Sequence, residues 1–186
     1  MRLFVFFFAA IFPGALIAQN DCPANVKAIP LHTLDRHQMV VSVFINHAGP
    51  YEFLLDTGTQ MTVVDRALAA DLHLSSTGKA TVAGVSVQGA ASFARVESLE
   101  LGDHAVLNQG VVVYDMKNVR GAGFALRGLL GEDFLSRYDV LIDKNHAVLC
   151  IDDTGAMLES LKGDNSSRSA GERSSASPAA AGPGRR

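Results

Sequence analysis

The most constraining feature of this sequence is an apolar run that ends in an acidic residue. Phe53-Leu54-Leu55 leads directly into Asp56-Thr57-Gly58-Thr59. An apolar run of this kind is typical of a buried strand, and burial disfavours the charged form of a carboxyl group. Asp56 therefore needs hydrogen-bond donors, a cation or a proton. The backbone and hydroxyl groups that follow it can be those donors, although Asp-Thr-Gly is also good turn chemistry.

The composition fits one compact globular domain. The chain has 186 residues, of which 48% are hydrophobic and 19% are charged, and this length leaves room for one ordinary domain. The formal net charge of -3 gives no electrostatic reason to expect nucleic acid or an anionic membrane surface as a partner. We therefore expect neither.

The first residues have the layout of a signal peptide. Met1-Arg2 carries one positive charge and precedes an apolar run from Leu3 to Phe12. This layout predicts a signal peptide over residues 1–18, with cleavage after Ala18. An uncleaved anchor is the alternative, but the run is shorter than the roughly 20 apolar residues that cross a bilayer. We expect export to the periplasm or the extracellular space, with no membrane association after cleavage.

The other end of the chain and the two cysteines bound the folded region. From Gly163 to Arg186 no apolar residue is larger than Ala or Pro, which predicts a disordered tail over residues 163–186. The folded domain is expected over residues 28–161. Export would place Cys22 and Cys150 in an oxidising compartment. A disulfide between them and two unpaired thiols remain equally open, because sequence does not establish the close Cα approach that a disulfide requires.

The middle of the chain is predicted to be mostly β structure. Glycine and turn residues divide it into short segments rich in Val, Ile and Phe. The strand-like segments are Gln38 to Asn46, Tyr51 to Leu55, Thr81-Val82, Val85 to Val87, Phe93 to Leu101, Val111 to Tyr114, Asp139 to Ile142 and Ala147 to Ile151. A short helix is predicted after a capping Asp65, and a helical turn at Glu132 to Arg137.

A second motif, later in the chain, helps to interpret the Asp56-Thr57-Gly58-Thr59 motif. It reads Gly128-Leu129-Leu130-Gly131-Glu132-Asp133-Phe134-Leu135 and precedes a predicted hairpin. The order of hydrophobic-Asp-Thr-Gly-Thr, a glycine-containing β region and this second motif resembles the retropepsin-like aspartic peptidases, in particular the small exported bacterial members. The resemblance covers roughly Val40 to Ile151. It implies a closed, mostly β, retropepsin-like barrel with one or two short helices.

The same resemblance implies a catalytic role for Asp56. The predicted domain contains one loop with the full hydrophobic-Asp-Thr-Gly-Thr pattern, and the chemistry needs two carboxylates, so the active form would be a homodimer with one Asp56 from each subunit. The pair would share one proton and activate a water that hydrolyses a peptide bond, without a metal or other cofactor. Thr57 would brace the partner's loop, Gly58 would admit the substrate backbone, and Thr59 would hydrogen-bond Asp56.

Other positions are assigned supporting roles by the resemblance. Gly131 and Asp133 are expected to be structural and to place the last helix against the active-site loop. Gln60 and Glu132 stand where viral members often carry an acid and an arginine that form an ion pair. A different bracing arrangement is therefore expected.

A flap that closes over substrate is expected within Lys79 to Ala91. Gly84, Val85 and Gly89 are the candidate flap residues, with the two glycines as hinges. Under such a flap a peptide or protein substrate would be held extended by main-chain hydrogen bonds, with pockets for apolar side chains.

Other chemistry has little support in the sequence. The six histidines show no pairing at metal-ligand spacing, so no metal site is predicted. Asp139, Asp143, Asp152 and Asp153 are interpreted as solvated hairpin and loop residues. The main alternative function is a non-catalytic dimerising or peptide-binding module of the same fold. A third reading is a peptidase that is inactive as a monomer until it assembles.

Overall fold

The structure is a computed structural model that describes residues 22–34, 38–83, 88–118 and 126–163. The predicted signal peptide lies outside the described residues, as does the predicted tail beyond residue 163. Within the described ranges, no helix is both long and apolar enough to cross a membrane.

Short strands make up most of the fold. The strands are β1 (Ala28–Pro30), β2 (His32–Leu34), β3 (Gln38–Ile45), β4 (Ala48–Leu55), β5 (Val63–Asp65), β6 (Ser76–Ala83), β7 (Gln88–Leu101), β8 (His104–Tyr114), β9 (Gly128–Leu130), β10 (Asp139–Asp143) and β11 (Val148–Asp152). The helices are α1 (Arg66–Asp71), α2 (Glu132–Leu135) and α3 (156–163), with 3-10 turns at Pro23–Asn25 and Met116–Asn118.

Eight of the strands form one sheet that curls into a barrel. Their order is β2-β3-β4-β9-β5-β8-β7-β6, and β3 pairs additionally with β7. That extra pairing places Phe44 opposite Glu100 and Ile45 opposite Leu99. The interior is packed with fully buried side chains, among them Phe53 and Phe134. The predicted mostly β, barrel-like fold class is confirmed, but two residue pairs alone join β3 to β7, so the barrel is not strictly closed.

The predicted hairpin at the start of the domain is confirmed. Strands β3 and β4 are antiparallel, with Val40 opposite Leu54 and Val43 opposite Tyr51. The turn between them is shorter than the sequence suggested. It consists of Asn46 and His47, both with positive φ, the backbone that a two-residue hairpin turn requires.

Strand β9 joins the two sequence motifs. It runs parallel to β4, with Leu55 opposite Leu130, and antiparallel to β5, with Val63 opposite Leu129. The segment over residues 56–62, called here the Asp56 loop, therefore leaves β4, crosses the end of β9 and returns as β5 on its other side. Gly128 allows this close packing, because the Phe53 ring and the Val63 carbonyl occupy the space that a Cβ would need.

The two ends of the described chain meet in a second, three-stranded sheet. Its order is β1-β11-β10. Cys22 and Cys150 form a disulfide, with their Cα atoms 5.7 Å apart, which resolves the alternative that the sequence left open. The disulfide lies in a small apolar cluster with Met157 of α3. The disulfide and the helix thus pack against the same side of the domain.

Asp65 differs from its predicted role. It precedes α1, but its side chain does not cap the helix. Its Oδ1 accepts a hydrogen bond from the Met116 backbone N–H at 3.1 Å, inside the protein. The carboxylate is needed there because a buried backbone donor without a partner is costly.

The interpretation of Asp152 as a solvated loop residue was wrong. Asp152 is only 4% exposed, and its Oδ2 accepts the Met157 N–H at 2.8 Å near the start of α3. The Met157 amide, together with the hydroxyl and amide of Thr154, lowers the pKa of Asp152 to about 2, since these donors favour the charged carboxylate. The sequence looks like a polar turn, and only the packing of α3 shows the burial.

Loss of the disulfide is expected to lower the free energy of unfolding. The bridge joins residues that are 128 positions apart, and closing so long a loop restricts the unfolded chain, an effect of about 2–5 kcal/mol. Urea unfolding of the purified protein with and without dithiothreitol measures it. In a Cys22→Ser/Cys150→Ser control, reductant should not move the unfolding midpoint. Equal midpoints for the oxidised and reduced wild type would contradict this expectation.

Candidate active site

Asp56 lies at the carboxyl end of β4, half-buried, with both side-chain oxygens occupied. Its backbone N–H donates to the Leu130 carbonyl at 3.1 Å, which fixes it beside β9. The Gly58 N–H donates to Oδ1 at 2.9 Å, and the Thr59 hydroxyl donates to Oδ2 at 2.7 Å. These are the donors that the spacing of the motif predicted. Each carboxyl oxygen of Asp56 thus has a hydrogen-bond partner at the end of an apolar strand.

The tip of the loop faces outward. Thr57 and Gly58 are both exposed, whereas Thr59 is half-buried. A Cβ at Gly58 would lie 3.3 Å from Asp56 Oδ1, tighter than ordinary van der Waals contact. Glycine at position 58 therefore avoids a close contact with the Asp56 carboxylate. The exposed Thr57 is accessible to a molecule that binds at this face.

The second motif holds the Asp56 loop from behind. The first two amides of α2 donate to its carbonyls, Glu132 N–H to Thr59 O at 2.8 Å and Asp133 N–H to Gln60 O at 3.1 Å. The helix and the loop are thus joined through backbone groups. The side chains of Gln60 and Glu132 are both exposed, so the two positions that lack the viral ion pair contribute backbone bonds instead.

Gly131 is required by this contact. A Cβ there would lie 2.7 Å from the Met61 carbonyl carbon, 2.8 Å from Thr62 N and 2.9 Å from Thr59 O. All three are backbone atoms, so no side-chain movement relieves the clash. The Gly131 N–H itself donates to the Thr62 hydroxyl at 3.2 Å.

Asp133 and Thr62 form the polar centre behind the loop. Asp133 Oδ1 accepts from the Thr62 backbone N–H at 2.9 Å and from the Thr62 hydroxyl at 2.8 Å. Asp133 Oδ2 accepts from Gln109 Nε2 at 2.6 Å. Thr62 is fully buried and Gln109 nearly so. Sequence reasoning missed Gln109, because it lies outside the predicted strand segment Val111 to Tyr114 and a single glutamine carries no signal of its partner.

An apolar cluster lies next to the loop, separate from the barrel core. Val63, Ala91 and Val112 are buried in it, and Met61 and Leu129 pack against them while remaining partly exposed. Met61 belongs to the Asp56 loop, and Leu129 adjoins the residue that accepts the Asp56 N–H. Partly exposed apolar side chains thus lie on the Asp56 loop and on β9, the strand that the loop crosses.

The predicted flap falls on the β6–β7 hairpin. Gly89 lies in β7 opposite Val82 of β6. Gly84 and Val85 lie outside the described residues. The hairpin is tied to the helix that follows the loop, because the Arg66 side chain donates to the Ala90 carbonyl at 3.2 Å. The role of these residues as a flap stays a prediction.

Comparison with known families agrees with this architecture. A sequence model of the aspartyl protease family matches residues 41–134, a range that contains the Asp56 loop and most of the second motif. The chain therefore belongs to the aspartyl protease family, and it is a retropepsin-like member of it.

Several solved structures are similar to this chain. A retropepsin-like aspartic protease from Rickettsia conorii is 20% identical with a TM-score of 0.49, over 68% of this chain and 90% of that one. The retroviral protease-like domain of Ddi1 from Leishmania major is 20% identical with a TM-score of 0.42, over 61% and 87%. EIAV protease complexed with the inhibitor HBY-793 is 21% identical with a TM-score of 0.42, over 56% and 92%. No curated protein matches the chain.

Gly131→Ala is expected to destabilise the domain by about 1–3 kcal/mol or more, because the new methyl group forces the loop backbone away from α2. Gly110→Ala is the matched control, since nothing lies within 4 Å of a Cβ built at Gly110 in β8. It should be neutral or slightly stabilising. Thermal or urea unfolding of both variants tests the comparison, and equal effects would show that the close approach at Gly131 is not the cause.

Proposed function

We propose that this protein is an aspartic endopeptidase, a hydrolase that cleaves peptide bonds with a dyad of Asp56 side chains from two copies of the chain. The observation that carries the proposal is the Asp56 loop itself. A carboxylate held by the Gly58 amide and the Thr59 hydroxyl, beside an exposed loop tip, occurs here in a member of the aspartyl protease family.

Two copies are proposed because the reaction needs two carboxyl groups. The tripeptide Asp-Thr-Gly occurs twice among the described residues, at 56–58 and at 153–155, but a hydroxyl residue follows only the first and bonds its carboxylate. In the second, the Thr154 hydroxyl bonds Asp152 instead. Thr57 and Gly58 at the tip of the Asp56 loop are exposed. A symmetric homodimer would bring two such tips together and place one Asp56 from each subunit at its axis. Thr57 of each copy would then be positioned to brace the partner's loop.

The proposed chemistry follows from two carboxyl groups at close range. Two carboxylates about 3 Å apart do not both ionise readily, so the pair holds one proton. The ionised Asp56 accepts a proton from a water between them, and the protonated Asp56 donates to the scissile carbonyl oxygen. The water oxygen attacks the carbonyl carbon and gives a gem-diol. The Asp56 that took the water proton then passes it to the nitrogen, and the other Asp56 takes a proton from a diol hydroxyl. The carbon–nitrogen bond breaks without a covalent intermediate, and the pair again holds one proton.

The proposed substrate is an extended peptide segment with apolar side chains. The partly exposed Met61 and Leu129 beside the loop can contact such side chains. The β6–β7 hairpin would close over the peptide as a flap and bond its main chain.

Export to an oxidising compartment, periplasmic or extracellular, is part of the proposal. The buried disulfide between Cys22 and Cys150 supports it, because structural disulfides persist mainly outside the cytosol.

Asp56→Asn is expected to lower kcat by about 10²–10⁴-fold, because an amide does not accept the proton from water. The fold should survive, since the amide oxygen can still accept the Gly58 N–H. Cleavage of a peptide library across pH, with and without pepstatin, measures the loss. Asp103→Asn is the control, because it removes a carboxylate from an exposed ion pair with Lys27.

Full activity in Asp56→Asn would overturn the proposed mechanism. A wild type that dimerises and binds peptides without cleaving them would favour the non-catalytic module instead.

Mixing the wild type with Asp56→Asn distinguishes a shared dyad from independent sites. In an equal mixture after subunit exchange, about a quarter of random dimers are wild type in both halves. A dyad therefore predicts about a quarter of the wild-type activity at equal total protein, whereas independent sites predict half. The assay must be run well above the dimer dissociation constant, since dilution separates weak dimers. A value of one half would contradict the dyad.

A further inference from the structure

We propose that Asp133 and Gln109 act as a positioning pair that sets the geometry of the Asp56 loop. The inference rests on the proposed function, because the geometry in question is that of the Asp56 carboxylate. The hydrogen bonds of Asp133 and Gln109 go to residues other than Asp56, so in this proposal both act through Thr62 and the backbone of residues 59–62.

Asp133 connects three separate elements. Its Oδ1 takes two hydrogen bonds from Thr62, where the loop enters β5, and its Oδ2 takes one from Gln109 in β8. Its own carbonyl accepts from Arg137 Nε at 2.9 Å. Bonds to a carboxylate are stronger than neutral ones, so Asp133 is the strongest link between α2 and the loop.

The orientation of Gln109 follows from its neighbours. A carboxylate only accepts and a guanidinium only donates. Gln109 therefore turns Nε2 toward Asp133, at 2.6 Å, and Oε1 toward the Arg137 guanidinium, at 3.3 Å. Arg137 and Asp133 together leave this amide one orientation that satisfies both its ends.

The network reaches the carboxylate through the loop backbone. Once Asp133 fixes Thr62, the two amides of α2 hold the carbonyls of Thr59 and Gln60. Thr59 in turn donates its hydroxyl to Asp56 Oδ2 at 2.7 Å. A shift of α2 relative to β8 therefore moves the Thr59 hydroxyl, and with it the orientation of the Asp56 side chain.

Because the Gln109 amide donates to the Asp133 carboxylate, the donor and acceptor of this pair can be exchanged by mutation. In Asp133→Asn the new amide group faces the Gln109 amide group, so two donors oppose each other. In Gln109→Glu two carboxylates oppose each other. In the double variant the introduced amide donates to the introduced carboxylate, whose second oxygen still accepts from Arg137. Each single change breaks the pair, and the double change restores it in reverse.

The experiment is a kinetic comparison of these three variants with the wild type. Each single variant is expected to lower kcat by about 10- to 100-fold, since small misplacement of a catalytic group costs about that much. KM should stay within about twofold, because the pair does not touch substrate. The double variant should return kcat to within about threefold of the wild type. Asp103→Asn, which removes a carboxylate from an exposed ion pair, should match the wild type.

A second readout does not depend on catalysis. Hydrogen exchange at the Thr62 amide should be faster in both single variants and return to the wild-type rate in the double variant. If a single variant does not fold, the criterion is recovery of folding in the double variant instead of the Thr62 exchange rate.

The outcomes separate this inference from the proposed function. A single variant with wild-type kcat, or a double variant no better than the singles, would overturn the pairing even if the protein is a peptidase. If the wild type cleaves no peptide, the proposed function fails, and the Thr62 exchange rates alone decide whether the pair holds the loop.

Discussion

The packing of β9 between β4 and β5 is the constraint on which the site depends. Because β4 is parallel and β5 antiparallel to β9, the chain between them must cross the end of β9, and that crossing is the Asp56 loop. The approach is so close that Gly128 and Gly131 have no room for a Cβ. Backbone packing therefore determines where the Asp56 loop lies.

Side-chain hydrogen bonds then hold the loop in the position that the backbone packing sets. The crossing buries Thr62 and brings several polar groups into a region with little water, where each donor needs an acceptor. Asp133 meets this need with two oxygens and three bonds. Gln60 and Glu132 do not form the ion pair of the viral enzymes, and this carboxylate-centred network braces the loop instead. Its third bond comes from Gln109 in β8.

The remainder of the domain packs around this region. The apolar core fills the barrel, while the β1-β11-β10 sheet and the Cys22–Cys150 disulfide join the two ends of the described chain. Asp152 continues this scheme at α3, because its buried carboxylate accepts the helix amide of Met157. The tip of the Asp56 loop, Thr57 and Gly58, is exposed on this domain and is accessible to other molecules.

The sequence by itself determined the local features of this protein. The bonds from Gly58 and Thr59 to Asp56 span two and three residues, so the spacing of the motif was enough to predict them, and alternating apolar segments predicted most of the strands. The tertiary structure decided the Gln109–Asp133 bond, the burial of Asp65 against Met116 and the disulfide, which join residues 24, 51 and 128 positions apart. Contacts over such separations depend on how the strands cross, and a single sequence carries no local pattern for that crossing.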